Sequence, residues 1–306
     1  MTVLHYDSNF HNKEGIKLNN ITKGIIALII SSLGFSLMSL FVKYSGDLPT
    51  VQKAFFRNFV AMLIALILVV RYREPLFGKK ENQKLLLLRS TLGLIGVILN
   101  FYTLDKLVLS DADILNKLSP FFTIILSAIF LKEYIRRFQM TSIVIAFIGA
   151  IFIIKPSFES ASFDALVGVI GALAAAGAYT VLRVLGDREK FYTVVFYFSG
   201  FSTVALLPFF IYNYEPMTME QLIFLLLAGV AASVGQFGLT IAYSYAPARE
   251  ISIFFYTTII FTAIFSIVFF GEYPDMFSII GYIIIFAASF YMYMKNLPPK
   301  GSRTNV

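Results

Sequence analysis

Ten long apolar runs separated by short polar segments dominate this sequence of 306 residues. A helix needs about 20 apolar residues to cross the hydrocarbon core of a bilayer. The runs are continuous and do not alternate with a period of two, which indicates helices and excludes barrel strands. We therefore predict an all-α membrane protein with ten transmembrane helices. The runs are 22–44, 51–70, 85–104, 111–131, 139–154, 165–185, 193–212, 219–243, 250–270 and 276–294.

Composition supports a membrane class and argues against an enzyme. Hydrophobic residues make up 58% of the chain and charged residues 14%, whereas a soluble domain carries about 25% charged residues. Cysteine is absent, and the only histidines are His5 and His11, which precede the first run. A membrane-embedded metal site or Ser/His pair therefore lacks its ligands. The sequence also has no Walker motif and no Gly-x-Gly-Asp motif. We expect no enzyme activity, no metal and no cofactor.

The distribution of Lys and Arg predicts the orientation. With a cytoplasmic N-terminus, most of the 25 basic residues fall on the cytoplasmic side, in agreement with the positive-inside rule. This count includes Arg89 at the start of the third run. Both termini are then cytoplasmic, and the net charge of +7 is a topology signal that does not indicate nucleic-acid binding. The exceptions are Lys43, Lys53, Arg57, Lys106, Lys117 and Lys155.

The chain contains an internal repeat. Residues 109–133 match residues 248–272 at an offset of 139, which pairs Asp111 with Glu250 and Glu133 with Glu272. A weaker match relates the first run to the sixth. Because each half then holds five helices, the second half enters the membrane upside down relative to the first, as in alternating-access transporters. We predict a first repeat at 22–154, a second, inverted repeat at 165–294, a disordered cytoplasmic tail at 1–21 and a cytoplasmic tail at 295–306.

Several motifs resemble those of the drug/metabolite transporter superfamily, EamA type. In the first half they are Phe55-Phe-Arg57, Leu88-Arg-Ser, Phe101-Tyr-Thr-Leu, Ser110-Asp-Ala-Asp113, Leu118-Ser-Pro-Phe-Phe-Thr123 and Leu131-Lys-Glu133. In the second half they are Ala242-Tyr-Ser-Tyr-Ala-Pro247 and Phe269-Phe-Gly-Glu272. The resemblance implies a ten-helix fold with a central cavity. It also implies export or exchange of amino acids, nucleotide-linked metabolites, amines or other small molecules.

Ionisable residues inside an apolar run are functional candidates because burying a charge in a membrane is costly. Asp113, Asn116 and Lys117 lie in the fourth run, and Pro120 follows them. Proline has no N–H, so it deprives the carbonyl of Asn116 of its helical donor. Asp113 and Lys117 are four residues apart and can form a purely structural ion pair. Their charges are absent from the corresponding positions of the ninth run, which favours a substrate role.

Further candidates lie in other runs at similar depth. Arg57 either faces the cavity, extends to the membrane interface or holds Asp111 or Asp113. Asn100 reaches the same level, and Tyr179 and Tyr256 offer aromatic contacts to a substrate. The predicted substrate-binding residues are Arg57, Asn100, Asp113, Asn116, Lys117, Tyr179 and Tyr256.

These residues predict a secondary active transporter of a small polar metabolite at the cytoplasmic membrane. Arg57 and Lys117 suit a carboxylate and Asp113 suits an amine, so an amino-acid-like, zwitterionic or anionic substrate is expected. Transport is proton-coupled through Asp111, Asp113 or Glu250, or it proceeds by exchange. The alternative is a flippase for a lipid or lipid-linked headgroup. Expected partners are the small-molecule substrate and the bilayer; a homodimer is left open, and nucleic acid is excluded.

Overall fold

The computed structural model describes residues 8–132, 134–154, 160–185, 188–245 and 252–296. Eleven α-helices account for nearly all of these residues. Short 3₁₀ turns cover Lys80–Asn82 and Ser252–Tyr256. The helices are α1 (Ser8–Tyr44), α2 (Thr50–Tyr72), α3 (Gln83–Lys106), α4 (Leu109–Asn116), α5 (Ser119–Leu131), α6 (Arg137–Ile154), α7 (Ser160–Leu185), α8 (Phe191–Tyr212), α9 (Met219–Tyr245), α10 (Thr257–Phe270) and α11 (Met276–Asn296).

The predicted ten-span, all-helical membrane fold is confirmed. In the described part of the chain, nine segments are long and apolar enough to span a bilayer, and Phe254–Phe270 is a shorter tenth. Helices α4 and α5 together form the fourth span, Leu109–Leu131. The third span is Lys80–Lys106 and so begins before the predicted run at 85–104.

The first helix differs from its prediction, because it begins at Ser8, well before the apolar run at 22–44. The part of the predicted disordered tail from Ser8 onward is therefore helical. Extending an existing helix by one residue adds one hydrogen bond without the cost of a new nucleus. Residues 8–21 contain no proline to stop that extension. The apolar run consequently marks where the membrane-spanning part begins and not where the helix begins.

The helices pack in pairs that correspond between the two halves. Helix α1 packs against α9, and α7, its counterpart in the second half, packs against α3. Helix α2 packs against α8, and α6 packs against α11. Each of these pairs joins one helix from each half. This interlocked arrangement is consistent with two inverted repeats, and it leaves the interior of the bundle at the boundary between the halves.

Small residues allow the backbones to approach closely at these crossings. A Cβ atom on Gly34 of α1 would lie 2.6 Å from the backbone nitrogen of Gly235 on α9. The hydroxyl of Ser31 donates a 2.6 Å hydrogen bond to the carbonyl of Gly235. At the corresponding crossing, a Cβ on Gly96 of α3 would meet the backbone of Gly171 and Ala175 on α7. Close backbone packing replaces the hydrophobic effect as the source of helix association in lipid.

Replacing Gly34 by Ala should destabilise the fold by about 1–3 kcal/mol, because the new methyl group meets backbone atoms that cannot rotate away. Gly200→Ala is the matched control, since its Cβ would make an ordinary 3.7 Å contact with the Met62 sulfur. Unfolding in detergent with increasing dodecyl sulfate measures both variants. Equal stability of the two variants would contradict the close α1–α9 crossing.

Candidate functional site

Two spans are broken inside the bundle, one in each half. Helix α4 ends at Asn116, and the N–H of Lys117 bonds to the carbonyls of Asp113 and Ile114 at 3.2 and 3.0 Å. Helix α5 starts at Ser119 with Pro120 in its first turn, where proline is tolerated. In the second half, the 3₁₀ turn Ser252–Tyr256 precedes α10. Breaks of this kind free backbone carbonyls that can serve a polar site within a membrane protein.

The two breaks touch each other. The hydroxyl of Tyr256 donates a 3.2 Å hydrogen bond to the carbonyl oxygen of Lys117, and the two residues are 139 positions apart. This separation equals the repeat offset, so Lys117 and Tyr256 are corresponding residues of the two halves. A residue that contacts its own counterpart lies on the axis that relates the halves. For inverted repeats this axis lies in the membrane plane, which puts the contact near half depth.

Asp113 and Lys117 form a buried ion pair beside this contact. Their charged atoms are 3.8 Å apart, and the side chains are 8% and 5% exposed. The ammonium of Lys117 also lies 4.0 Å from the ring centroid of Phe255. The hydroxyl of Thr262 on α10 donates to Asp113 at 3.4 Å. The pair is thus held by groups from both halves of the protein.

The predicted neighbours Asn100 and Asn116 do meet. The side-chain amide of Asn116 donates a 2.9 Å hydrogen bond to the side-chain oxygen of Asn100. This bond joins α3 to the end of α4, directly before Lys117. The structure therefore assembles Asn100, Asn116, Lys117, Asp113 and Tyr256 around the broken helices. Their role in substrate binding remains a prediction.

Arg57 lies in a different part of the interior. Its guanidinium donates to the side chain of the adjacent Asn58 at 2.7 Å and lies 5.6 Å from the ring of Phe198 on α8. Among the described residues, Arg57 forms no ion pair with Asp111 or Asp113. The hypothesis that Arg57 holds one of these carboxylates is therefore wrong.

Arg89 was missed by the sequence analysis, which counted it among the cytoplasmic charges. The residue is 3% exposed, and its guanidinium lies 4.0 Å from the ring of Phe198. Tyr179 on α7 is a neighbour of both Arg57 and Arg89. One signal was available: Arg89, Gly93 and Asn100 are spaced by four and seven residues, which places them on one face of α3.

The remaining predicted residues have other surroundings. Asp111 accepts a 2.6 Å hydrogen bond from the Tyr282 hydroxyl on α11, and the Tyr282 oxygen in turn lies 2.8 Å from the hydroxyl oxygen of Ser110. Glu250 and Glu133 lie outside the described residues. In the part of the chain that the structure describes, no three His, Asp or Glu side chains are grouped to hold a metal ion.

A carboxylate links the two halves at each end of the bundle. At the end formed by residues 45–49, 107–108 and 271–275, Glu272 pairs with Lys43 at 2.5 Å and accepts from the N–H of Leu109. At the opposite end, Glu189 accepts from the N–H of Lys79 at 2.8 Å and from the Asn82 amide at 2.6 Å. We call these the Glu272 latch and the Glu189 latch. Both are formed in this structure, and Asp113, Lys117 and Tyr256 between them are buried.

Fold and site together define a multi-pass helical membrane protein with a buried ion pair between two repeats. Residues 22–155 and 163–294 each match the EamA-like transporter family. The pseudopaline exporter CntI of Pseudomonas aeruginosa is 33% identical over 89% of this chain and 96% of that protein. The S-adenosylmethionine uptake transporter of Rickettsia bellii is 25% identical over 90% of this chain and 94% of that protein.

The chain therefore belongs to the EamA-like transporter family, within the drug/metabolite transporter superfamily, and it is a transporter and not an enzyme. A protein of known crystal structure superposes with a TM-score of 0.66 over 90% of this chain and 98% of that chain. At 12% identity, that likeness supports the fold alone. The expectation of an EamA-type transporter drawn from the sequence motifs is confirmed.

Opening of the Glu272 latch can be measured by cysteine labelling, because the chain has no cysteine of its own. In Ser39→Cys the new thiol is buried on α1, one turn before Lys43. Adding Glu272→Gln should raise its maleimide labelling about tenfold, since a charged hydrogen bond contributes about 1.5–3 kcal/mol. The control is Glu215→Gln, which removes an exposed carboxylate at the same end. Unchanged labelling with Glu272→Gln would show that the latch does not hold the bundle closed.

Proposed function

We propose that the protein is a secondary active transporter of a small polar metabolite that is amino-acid-like, zwitterionic or anionic. The observation that carries the proposal is the buried Asp113–Lys117 ion pair at the axis between the repeats. Its position near half depth makes it accessible from either side of the membrane in turn. A charged pair at this depth is costly for a purely structural purpose.

A zwitterion fits this ion pair without adding net charge to the interior. Its carboxylate can take the place of Asp113 beside Lys117, while its amine binds Asp113. The 3.8 Å separation in the present state is longer than a charge-assisted hydrogen bond of about 2.7–2.9 Å. A zwitterion that enters between Asp113 and Lys117 therefore replaces one long contact between charges with two shorter hydrogen bonds. The Phe255 ring next to Lys117 excludes water and strengthens these interactions.

The two latches support alternating access. Each latch joins the halves at one end of the bundle, so breaking one latch opens one side while the other stays closed. The state described here, with both ends closed, corresponds to the occluded intermediate of such a cycle. Small polar substrates bind between the halves, and rocking of one half against the other exposes them alternately.

The relatives support a small-metabolite substrate but no single direction. One is named as an exporter of pseudopaline and another as an uptake transporter for S-adenosylmethionine.

Our proposal keeps proton coupling and exchange as the two modes of energy supply. Asp113 is the candidate proton carrier in the described core, because its protonation would release Lys117 from the pair. From the Lys and Arg distribution we further propose a cytoplasmic-membrane location with both termini cytoplasmic.

The double variant Asp113→Asn with Lys117→Met tests whether the pair has a transport role. It removes both charges and leaves no unpaired ion, so the melting temperature in detergent should stay the same or rise. Lys117→Ala alone leaves Asp113 unpaired and should cost about 3–5 kcal/mol of stability. Uptake or counterflow of a radiolabelled amino-acid and metabolite panel into proteoliposomes should fall to background in the double variant. Lys106→Ala, which removes an exposed lysine, is the matched control and should transport normally.

A double variant that transports like the unmodified protein would show that the pair is structural. Scrambling of fluorescent phospholipids by the unmodified protein, with no uptake of any soluble compound in the panel, would instead support the flippase alternative. Both assays use the same vesicles, so a single preparation distinguishes the two functions.

A further inference from the structure

Two arginines from different helices share one aromatic ring inside the bundle. The guanidinium carbon of Arg89 on α3 lies 4.0 Å from the ring centroid of Phe198, and that of Arg57 on α2 lies 5.6 Å from it. Both side chains are buried, with residue exposures of 3% and 4%. Both distances are measured to one ring on α8, so the two guanidinium groups are gathered around the same side chain.

The hydrogen-bond donors of these arginines are incompletely satisfied. The Nε atom of Arg57 and the Nε and Nη1 atoms of Arg89 are buried and have no partner among the described residues. Folded proteins pair almost all of their buried polar groups, and an unpaired group costs about 1–3 kcal/mol, more when it is charged. The N–H groups of these two arginines therefore lack hydrogen-bond acceptors around the Phe198 ring.

The surroundings offer no compensating negative charge. Within the described part of the chain, no carboxylate lies within 4.0 Å of either guanidinium group. The phenol of Tyr179 lies near both arginines, but it is neutral in ordinary conditions and supplies no negative charge. Moreover, Arg57 and Arg89 repel each other. Among the described residues, the side chain of Asn58 accepts from one nitrogen of Arg57, and no carboxylate balances the two positive charges.

Two neighbouring residues add to the arrangement around the Phe198 ring. Gly93 of α3 lies where a Cβ would be 2.9 Å from the Phe198 ring and 3.4 Å from Nη1 of Arg89, so its lack of a side chain lets the ring and the guanidinium group approach. The hydroxyl of Ser202 is buried without a hydrogen-bond partner among the described residues. It lies four residues after Phe198 and hence on the same face of α8. It can donate a further hydrogen bond to an anion at this face.

This arginine cluster and the Asp113–Lys117 pair are connected along α3. Gly93 contacts the arginine cluster, and Asn100 contacts Asn116 next to Lys117. The separation of seven positions from Gly93 to Asn100 corresponds to about 10 Å of helix. An extended small molecule can span that distance, with its amino-acid group at the ion pair and an additional anionic group at the arginines.

We propose that Arg57 and Arg89 form a second substrate subsite, which binds an oxyanion group carried at the far end of a zwitterionic substrate. The subsite deepens the proposed transport function and rests on it for its place in the cycle. It defines the substrate class as amino-acid-like molecules with at least one additional carboxylate or phosphate group. Phe198 holds both guanidinium groups in place through cation–π contacts, and the bound anion supplies the missing acceptors.

Melting temperatures of the purified protein in detergent test this subsite. The probes are L-2-aminosuberate, L-2-aminooctanoate, which lacks the terminal carboxylate, and inorganic phosphate. The variants are Arg57→Gln and Arg89→Gln. Arg71→Gln is the matched control, because it removes an exposed arginine from the same helix as Arg57. Without a probe, the two subsite variants should melt at or above the temperature of the unmodified protein, since each removes an unpaired buried charge.

An anionic probe should stabilise the unmodified protein and Arg71→Gln more than L-2-aminooctanoate does. Either subsite variant should lose this extra stabilisation, with an affinity at least about tenfold lower. A response to aminosuberate assigns a carboxylate and a response to phosphate assigns a phosphate group. The subsite is overturned if neither anion exceeds aminooctanoate, if the extra stabilisation survives in Arg89→Gln, or if the variants without a probe melt at clearly lower temperatures.

The two proposals fail separately. Arginine-dependent anion binding without transport by the Asp113–Lys117 pair would leave the subsite and remove the proposed cycle. Transport that depends on the pair, with no arginine-dependent anion binding, would leave the transporter and remove the subsite.

Discussion

Inside a membrane, a polar group that the protein leaves unpaired finds no water to replace the missing partner. The interior of this transporter is organised by that constraint. Hydroxyls of Ser32 and Ser36 on α1 donate to backbone carbonyls of the ninth span at 3.3 and 3.1 Å. The hydroxyl of Tyr256 satisfies the carbonyl that the break in the fourth span exposes. Broken helices are stable here because side chains from the other half complete their hydrogen bonds.

The same constraint distinguishes closely paired charges from incompletely paired ones. Lys43 with Glu272 and Lys53 with Asp105 form close pairs, which serve to hold helix ends together. Asp113 and Lys117 form a looser pair, and the two central arginines have no carboxylate partner in the described core. These charges therefore differ in how fully the described residues compensate them. Under the proposed function, the substrate supplies the compensation that the looser pair and the arginines lack.

The sequence was sufficient for the fold because each span and each repeat leaves a local pattern. Apolar length predicted the ten spans, and the offset of 139 predicted that the two halves correspond. The sequence was less informative where a side chain's surroundings depend on its depth in the membrane and on the helices packed against it. Proline chemistry predicted a free carbonyl at Asn116, whereas the carbonyl bound by Tyr256 belongs to Lys117. Arg89 lies near the start of an apolar run, and only the packing of α3 against α8 shows that its side chain turns inward.

Contact between corresponding residues has a consequence for the two halves. A residue on the repeat axis always faces its own counterpart, so two identical halves would place lysine against lysine there. Two ammonium groups in contact would repel each other, and neither could donate to a carbonyl while avoiding the other. The difference between Lys117 and Tyr256 removes this repulsion and allows the centre to close. Once one half carries lysine at this position, the other half must carry a residue without positive charge, whereas two identical halves could close only with a neutral residue in both places.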